Sequence, residues 1–412
     1  MNRLAWIRFV ASRWFRSGRK VGPSLGPATA GIAVGVAALL CVIGVMNGFQ
    51  IGFIDAVLDL DSYHVRIPAA GTSVSAVLSA VPGARAALQF VDVRTMVVNA
   101  RGKASPLRIK VVPDTVMADD PAFAGRLTMR SGTFGAGLAV GSELARSLDI
   151  RVGDMVSVLS VQADVDTGID AHMLEFTVSG IYHCGYFDFD AGLAFLPSSL
   201  SSGLDAGETP VIGLRLADRY DDERVIGLLE AAGIRGAEGW RTYNRAFFGA
   251  LRMEKTVMLM LVGLIFIVVG VNIFHLMRKA VYGRVDDIAT IKALGAASID
   301  VRRIFMMDGI AAGAGGAIAG LVVGLLVAFN INGIFSGISA ITSAINGLAG
   351  GSGKGLEFFS PDLFYIGDVP VRLSFFEVLF ITGAGAASAL VAAWAASARV
   401  SRIMPAEVLR DE

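Results

Sequence analysis

Charged side chains are scarce in this chain: 17% of its 412 residues are Asp, Glu, Lys or Arg, against 54% that are hydrophobic. Soluble domains carry about a quarter charged residues, so the shortage excludes a wholly water-exposed fold and points to a bilayer. Cysteine is nearly missing as well. Cys41 lies in an apolar run and Cys184 in the polar middle, which leaves no disulfide framework. The four histidines, His64, His172, His183 and His275, share no metal-ligand spacing, and neither H-E-x-x-H nor a paired C-x-x-C occurs. Gly353-Lys354 invites a phosphate-loop reading, but that motif needs Gly where Leu348 stands and Ser or Thr where Gly355 stands. No catalytic, metal or cofactor residue is therefore assigned. A formal net charge of zero supplies no field for nucleic acid.

Long apolar runs are what the chain does have. A bilayer core about 30 Å thick takes roughly 20 helical residues, and four segments qualify: 27–49, 256–277, 309–331 and 375–396. None holds an internal Lys, Arg or Asp, each of which would cost roughly 2.5–3.5 kcal/mol at a span centre. His275 and Glu377 sit at span ends, where they can reach the interface, and the interiors lack the ionisable groups that mark proton or ion paths in pumps. Any work this chain performs must be powered from another polypeptide. Arg3, Arg8, Arg13, Arg16, Arg19 and Lys20 precede the first run, which exceeds the roughly 7–15 residues of a cleaved signal core and reads as a retained anchor. Leu40, before Cys41, is too bulky for a lipoprotein processing site, so lipidation of the chain itself is not expected.

Basic residues mark the cytoplasmic side. They crowd the arm 1–26, the segment 278–308 and the tail 397–412, whereas 332–374 has only Lys354 and Arg372. Both termini are expected inside, with 50–255 and the loop 332–374 outside. Trp6, Phe9 and Trp14 among the arginines of the arm suit a helix in the headgroup plane. The section 50–255 alternates apolar and polar residues at 94–99, 107–112, 155–161 and 176–181, as strands do. Ser142–Leu148 reads as a short helix, and 219–232 as an amphipathic one with Val225, Ile226, Leu228 and Leu229 inward. The expected fold is a membrane protein with four transmembrane α-helices and one large α/β extracytoplasmic domain between the first and second. Gly316, Gly320 and Gly324, like Gly31 and Gly35, are spaced for close helix approach, though glycine is also simply tolerated in membrane helices.

The segment between the second and third spans reads DDIATIKALG from Asp286 to Gly295. Asp286 or Asp287 suits a helix start and Gly295 a left-handed helix end. Ile288, Ile291 and Leu294 recur at i, i+3, i+6, with Lys292 beside them. Such a face packs either on its own loop and the bilayer surface or in a groove of a separate protein.

Residues 287–324, DIATIKALGAASIDVRRIFMMDGIAAGAGGAIAGLVVG, resemble the coupling segment and third span of ABC permeases with one large outer domain, the MacB/FtsX-like mechanotransmission superfamily. The first span, ending Val45-Met46-Asn47-Gly48-Phe49, resembles the lipoprotein-releasing, Lol-type branch, as do VGSELARSLDIRVGD at 140–154, FYIGDVPVRL at 364–373 and PAEVLR at 405–410. The resemblance implies a permease of the inner membrane, paired with a second permease and driven by a cytoplasmic ABC ATPase dimer that holds ATP and Mg. Its cargo would be an acylated lipoprotein taken from the outer leaflet and passed to a periplasmic chaperone. ATPase coupling would fall on Ile288, Ile291, Lys292, Leu294 and Gly295. The lipid cavity would be lined by Val45, Met46 and Phe49, with Ile265 and Val269 from the second span. A chaperone-facing loop would occupy 162–173, centred on Asp164, Val165, Asp166, Thr167, Gly168, Ile169 and Asp170. That loop departs from the family pattern by having no proline and three acids, which argues against direct chaperone capture and for a substrate-binding sibling or a homodimer doing both jobs. The competing readings are an efflux or envelope-signalling permease with the same architecture, and a membrane-anchored receptor.

Overall fold

A computed structural model describes residues 6, 9–10, 25–164, 168–204, 209–348 and 369–398. These residues fall into two compact units. Residues 25–50, 251–348 and 369–398, with 6 and 9–10, form the membrane unit, and residues 51–250 form the other.

The membrane unit contains α1 (Leu25–Ala56), α2 (Arg245–Tyr282), α3 (Val285–Ala293), α4 (Ser298–Phe329), α5 (Ile331–Leu348) and α6 (Phe375–Ser397). Four of these, α1, α2, α4 and α6, are long and apolar enough to cross a membrane. At 1.5 Å per residue the 32 residues of α1 and the 38 of α2 reach about 48 and 57 Å, more than a 30 Å core requires. Both helices carry the chain from one unit to the other.

Helices cannot be driven together by the hydrophobic effect inside lipid, so they need close fit. Glycine supplies it on α4. A Cβ on Gly316, Gly320 or Gly324 would lie 2.7 Å from Thr29 O, 2.6 Å from Ala33 O and 2.9 Å from Ala37 Cα, all on α1. The repeat is thus a backbone-contact face, whereas Gly31 meets nothing within 4 Å. Ile32, Val36, Leu40, Val262, Ile273, Ala317 and Ala389 are buried in the resulting core.

In the second unit ten strands run β1 (Val65–Pro68), β2 (Ala84–Val98), β3 (Ala104–Val112), β4 (Thr128–Gly132), β5 (Leu138–Gly141), β6 (Met155–Asp164), β7 (Gly168–His183), β8 (Leu193–Pro197), β9 (Val211–Leu216) and β10 (Glu238–Gly239). Their order is β10-β1-β9-β2-β3-β8-β5-β7-β4, and β6 bridges β7 to β2. The bridge closes a ring of six strands, β2-β3-β8-β5-β7-β6. Period-two alternation sends Val97, Leu107, Ile109, Val140, Val158 and Val178 into its core. The first half of β2 instead pairs with β9, and with β1 it builds a smaller lobe over Val77, Val225 and Leu229.

Ser142–Leu148 is helical, as its spacing suggests. The expected helix at 219–232 is a 3-10 turn, Arg219–Asp221, followed by Asp222–Ala231. Leu228 is corrected: Val225 and Leu229 are buried, but Leu228 is 44% exposed, because Val225 and Leu229 are one turn apart and Leu228 falls beside them. The loop after the third span also holds a helix, α5, that its lack of charge concealed.

Candidate functional site

The short helix α3 forms where the spacing places it, and its end is built atom by atom. Gly295 adopts φ +98°, its N–H donates to Lys292 O at 3.0 Å, and the Ala296 N–H donates to Ile291 O at 3.2 Å. This is a Schellman closure, which satisfies carbonyls a helix end leaves unpaired. The aspartates are corrected: Asp286 and Asp287 stand in the first turn, where the helix dipole favours them, and no side-chain bond caps the start.

The apolar residues of α3 divide between two tasks. Ile288 is fully buried with Val281, Val301 and Phe305, and Ile291 packs partly against them. Leu294 sits at the C-cap and is 84% exposed. The apolar face read from the spacing is therefore divided, because the helix stops before its third apolar residue can pack on the same neighbours. Beside Leu294 lies a groove of about 460 Å³, lined by Trp6, Val10, Ile291, Gly295, Ala296, Ala297 and Asp300. A locked base, an exposed leucine and an adjoining groove make a surface that a second protein can grip.

The outer end of the bundle holds a polar knot. Asn47 Nδ2 on α1 donates to Glu377 Oε2 on α6 at 2.6 Å, and Lys255 Nζ on α2 lies 3.4 Å from Glu377 Oε1. Glu377 also closes a capping box with Ser374. Next to Asn47, a Cβ on Gly48 would run into the Pro370 carbonyl, and the Arg372 N–H donates to Gly44 O at 2.9 Å. The MNGF and VPVRL stretches therefore touch, although more than 300 residues separate Asn47 from Glu377 (|i−j| = 330).

Of the expected cavity residues, Val45, Met46 and Phe49 are half-buried on α1, and Ile265 is exposed. Val269 packs in the bundle, its Cγ2 3.5 Å from a Cβ built on Gly35. Ten residues of helix, about 15 Å, separate Gly35 from Val45, so this chain alone does not gather the five. The hairpin is also corrected. Pairing of β6 with β7 continues to Asp164↔Gly168, so Asp164, Gly168, Ile169 and Asp170 are strand rather than loop, since no proline breaks the ladder. Val165, Asp166 and Thr167 lie outside the described residues, as do residues 364–368 and 405–410 of the family stretches.

Inspection of the sequence missed a charged joint in residues 51–250. After α1 the chain winds into a π-helical turn, Val57–Ser62, and then Tyr63 takes φ +55°. Such turns and such a φ in a bulky residue are costly and need fixing from outside. Three acids are held by bases distant in sequence. Asp55 pairs with Arg219 at 2.6 Å, Asp59 with Arg126 at 3.0 Å and Arg215 at 2.9 Å, and Asp61 with Arg108 at 2.8 Å. Arg215 also reaches the wholly buried Asp120 at 2.6 Å. Lys110, with no exposure at all, donates to Asp61 O at 2.6 Å and sits 3.7 Å over the Phe90 ring. Burial pulls the Lys110 ammonium down to about 8, against the pull of Asp92 and Asp61. The Tyr63 ring stacks on Phe90 at 5.3 Å and covers Gly213, where a side chain would collide with it. The sequence signal was the trio Asp55, Asp59 and Asp61 directly after an apolar run; their partners follow no spacing.

Comparison with known proteins agrees with this layout. The model of the MacB-like periplasmic core domain matches residues 28–232, and that of the FtsX-like permease C-terminal region matches 259–405. The lipoprotein-releasing system transmembrane protein LolC of Xylella fastidiosa strain Temecula1 is 28% identical over 398 residues, covering 93% of this chain and 92% of that protein. LolC of Neisseria meningitidis serogroup B is 28% identical, covering 93% of both chains. LolE of Haemophilus influenzae is 24% identical, covering 92% of both. The chain is a multi-pass membrane permease of the MacB/FtsX-like superfamily. Within that superfamily it belongs to the Lol-type permeases.

Proposed function

We propose that this chain is the permease subunit of an ABC transporter that extracts acylated lipoproteins from the outer leaflet of the bacterial inner membrane and releases them toward a periplasmic chaperone. Both termini lie in the cytoplasm, where a separate ATPase dimer holds ATP and Mg and grips α3. A second permease subunit completes the lipid cavity, to which this chain contributes Val45, Met46, Phe49, Ile265 and Val269. Each buried acyl CH₂ is worth about 0.8 kcal/mol, so a multiply acylated anchor needs an external motor to leave the bilayer. The cargo follows the relatives, whose names describe lipoprotein release over nearly the full length of this chain.

The observation that carries the mechanical reading is Leu294: an exposed apolar side chain held outward by a Schellman closure, above a base fixed through Ile288. Motion imposed there passes along the bundle, and α1 delivers it to the joint at Asp55, Asp59 and Asp61. Depleting the protein and separating inner from outer membranes tests the cargo. Lipidated proteins should accumulate in the inner membrane; an unchanged distribution would refute the assignment.

A further inference from the structure

The helix α5, Ile331–Leu348, has 18 residues and no charge of either sign. Over its first three turns the apolar residues Ile331, Ile334, Phe335, Ile338 and Ile341 share one face, and Asn332, Gly333, Ser336 and Ala340 lie across from it. Ile334, Ile338 and Ile341 are 40%, 45% and 62% exposed. The polar side is tied to the chain itself: Asn332 Oδ1 accepts the Val369 N–H at 2.9 Å, and Asn332 Nδ2 donates to Val369 O at 3.4 Å, just ahead of α6.

What covers the isoleucine face follows from the helix before it. The α4 span exposes Val322 and Leu326. The α4 ladder ends where the Asn330 N–H donates to Leu326 O at 3.2 Å, and α5 opens directly after it, its first turn closed by the Ile334 N–H on Asn330 O at 2.9 Å. The apolar face of α5 therefore starts at the level where the lipid-facing surface of the α4 span ends.

We propose that α5 is a surface helix of the outer leaflet, its isoleucine face inserted among acyl chains and its Ser, Gly and Asn face in the headgroups. With no basic residue the helix has no electrostatic hold on anionic lipid. Attachment then depends on apolar packing alone and favours a loosely packed leaflet. This rests on the membrane fold and not on the nature of the cargo.

The test uses the full chain in lipid nanodiscs, with Cys41 and Cys184 replaced by Ala and single spin labels at 334, 338 and 341 or at 333, 336 and 340. Collision with oxygen and with a water-soluble nickel chelate is measured in zwitterionic and in partly anionic bilayers. The oxygen-to-nickel ratio should be several-fold higher at the isoleucine positions and the same in both bilayers. High nickel access on both faces would place the helix in water and overturn the proposal. Low access of both reagents at the isoleucine positions would show a second copy or another protein there, and also overturn it. A ratio that rises with anionic lipid would refute attachment by packing alone.

Discussion

Asn47 and Glu377 join the first and last membrane helices through one hydrogen bond of 2.6 Å, and Lys255 brings the second helix to the same carboxylate. Interhelical hydrogen bonds in membranes average about 0.6 kcal/mol and reach about 1.7 kcal/mol. A charged acceptor places this one near the upper end. A double-mutant cycle of Asn47→Ala and Glu377→Ala, read by unfolding in mixed micelles, should give a coupling of about 1–2 kcal/mol. A coupling of zero would mean the knot does not hold the helices.

Gly48 and Gly31 lie on the same helix but should respond in opposite ways to alanine. At 48 the new methyl meets the Pro370 carbonyl, and at 31 it meets nothing. Overpacking costs about 1–3 kcal/mol, whereas Gly to Ala in an unobstructed helix gains up to about 1 kcal/mol. The same unfolding assay, run on both variants side by side, checks the contrast.

Arg215 is the centre of the charged joint, shared between Asp59 and the buried Asp120. Removing one partner from a buried pair costs about 3–5 kcal/mol. Arg215→Ala should therefore lower the melting temperature of residues 51–250 by about 10 °C, at about 2–4 °C per kcal/mol for a domain of this size. Circular dichroism of the strand signal reports it. Asp59→Asn is the milder change, since Arg215 keeps Asp120. It should leave ATP hydrolysis intact and reduce cargo release, because the end of α1 is no longer fully gripped.

His64 makes the outer domain sensitive to acid. Its Nδ1 accepts the Leu216 N–H at 2.9 Å, and burial, followed by Arg215 and Arg219, depresses its pKa from 6.5 to about 4. The unfolded chain therefore binds the proton first, and stability is lost as pH falls from about 6.5 toward 4. The full loss amounts to about 3 kcal/mol at 1.36 kcal/mol per pKa unit. His64→Asn keeps an acceptor and does not titrate, so melting of the variant should lose this part of the acid sensitivity. An unchanged pH profile would count against it.

How much of this was legible beforehand depended on whether the signal was local. The spans, the strands at 107–112 and 155–161, and the α3 helix follow from runs and periods within a few residues, and Gly295 announces its own φ. The glycine repeat on α4 was ambiguous until Ala33 and Ala37 appeared opposite it. The joint was hidden because Asp59 and Arg215 are 156 residues apart, and no spacing rule links a turn after a span to a strand so distant. Leu228 was misread because periodicity places a residue only to within about a third of a turn, and Leu228 falls just beside the buried pair Val225 and Leu229. The hairpin at 162–173 was taken as loop because the family resemblance places one between its strands, yet the ladder runs on when nothing removes a backbone donor.

Leu294 offers the most direct test of a motor acting on this chain from the cytoplasm. Burying one leucine on a partner is worth about 1.5–3 kcal/mol, roughly a 10- to 100-fold change in affinity. Because the side chain is exposed, Leu294→Asp should leave the bundle folded, and Leu294→Met should behave as wild type. Purified from cells, the wild type and the Met variant should each bring down an ATPase subunit that the Asp variant loses. Full ATPase recovery with Leu294→Asp, in a protein that remains monodisperse, would contradict coupling through α3.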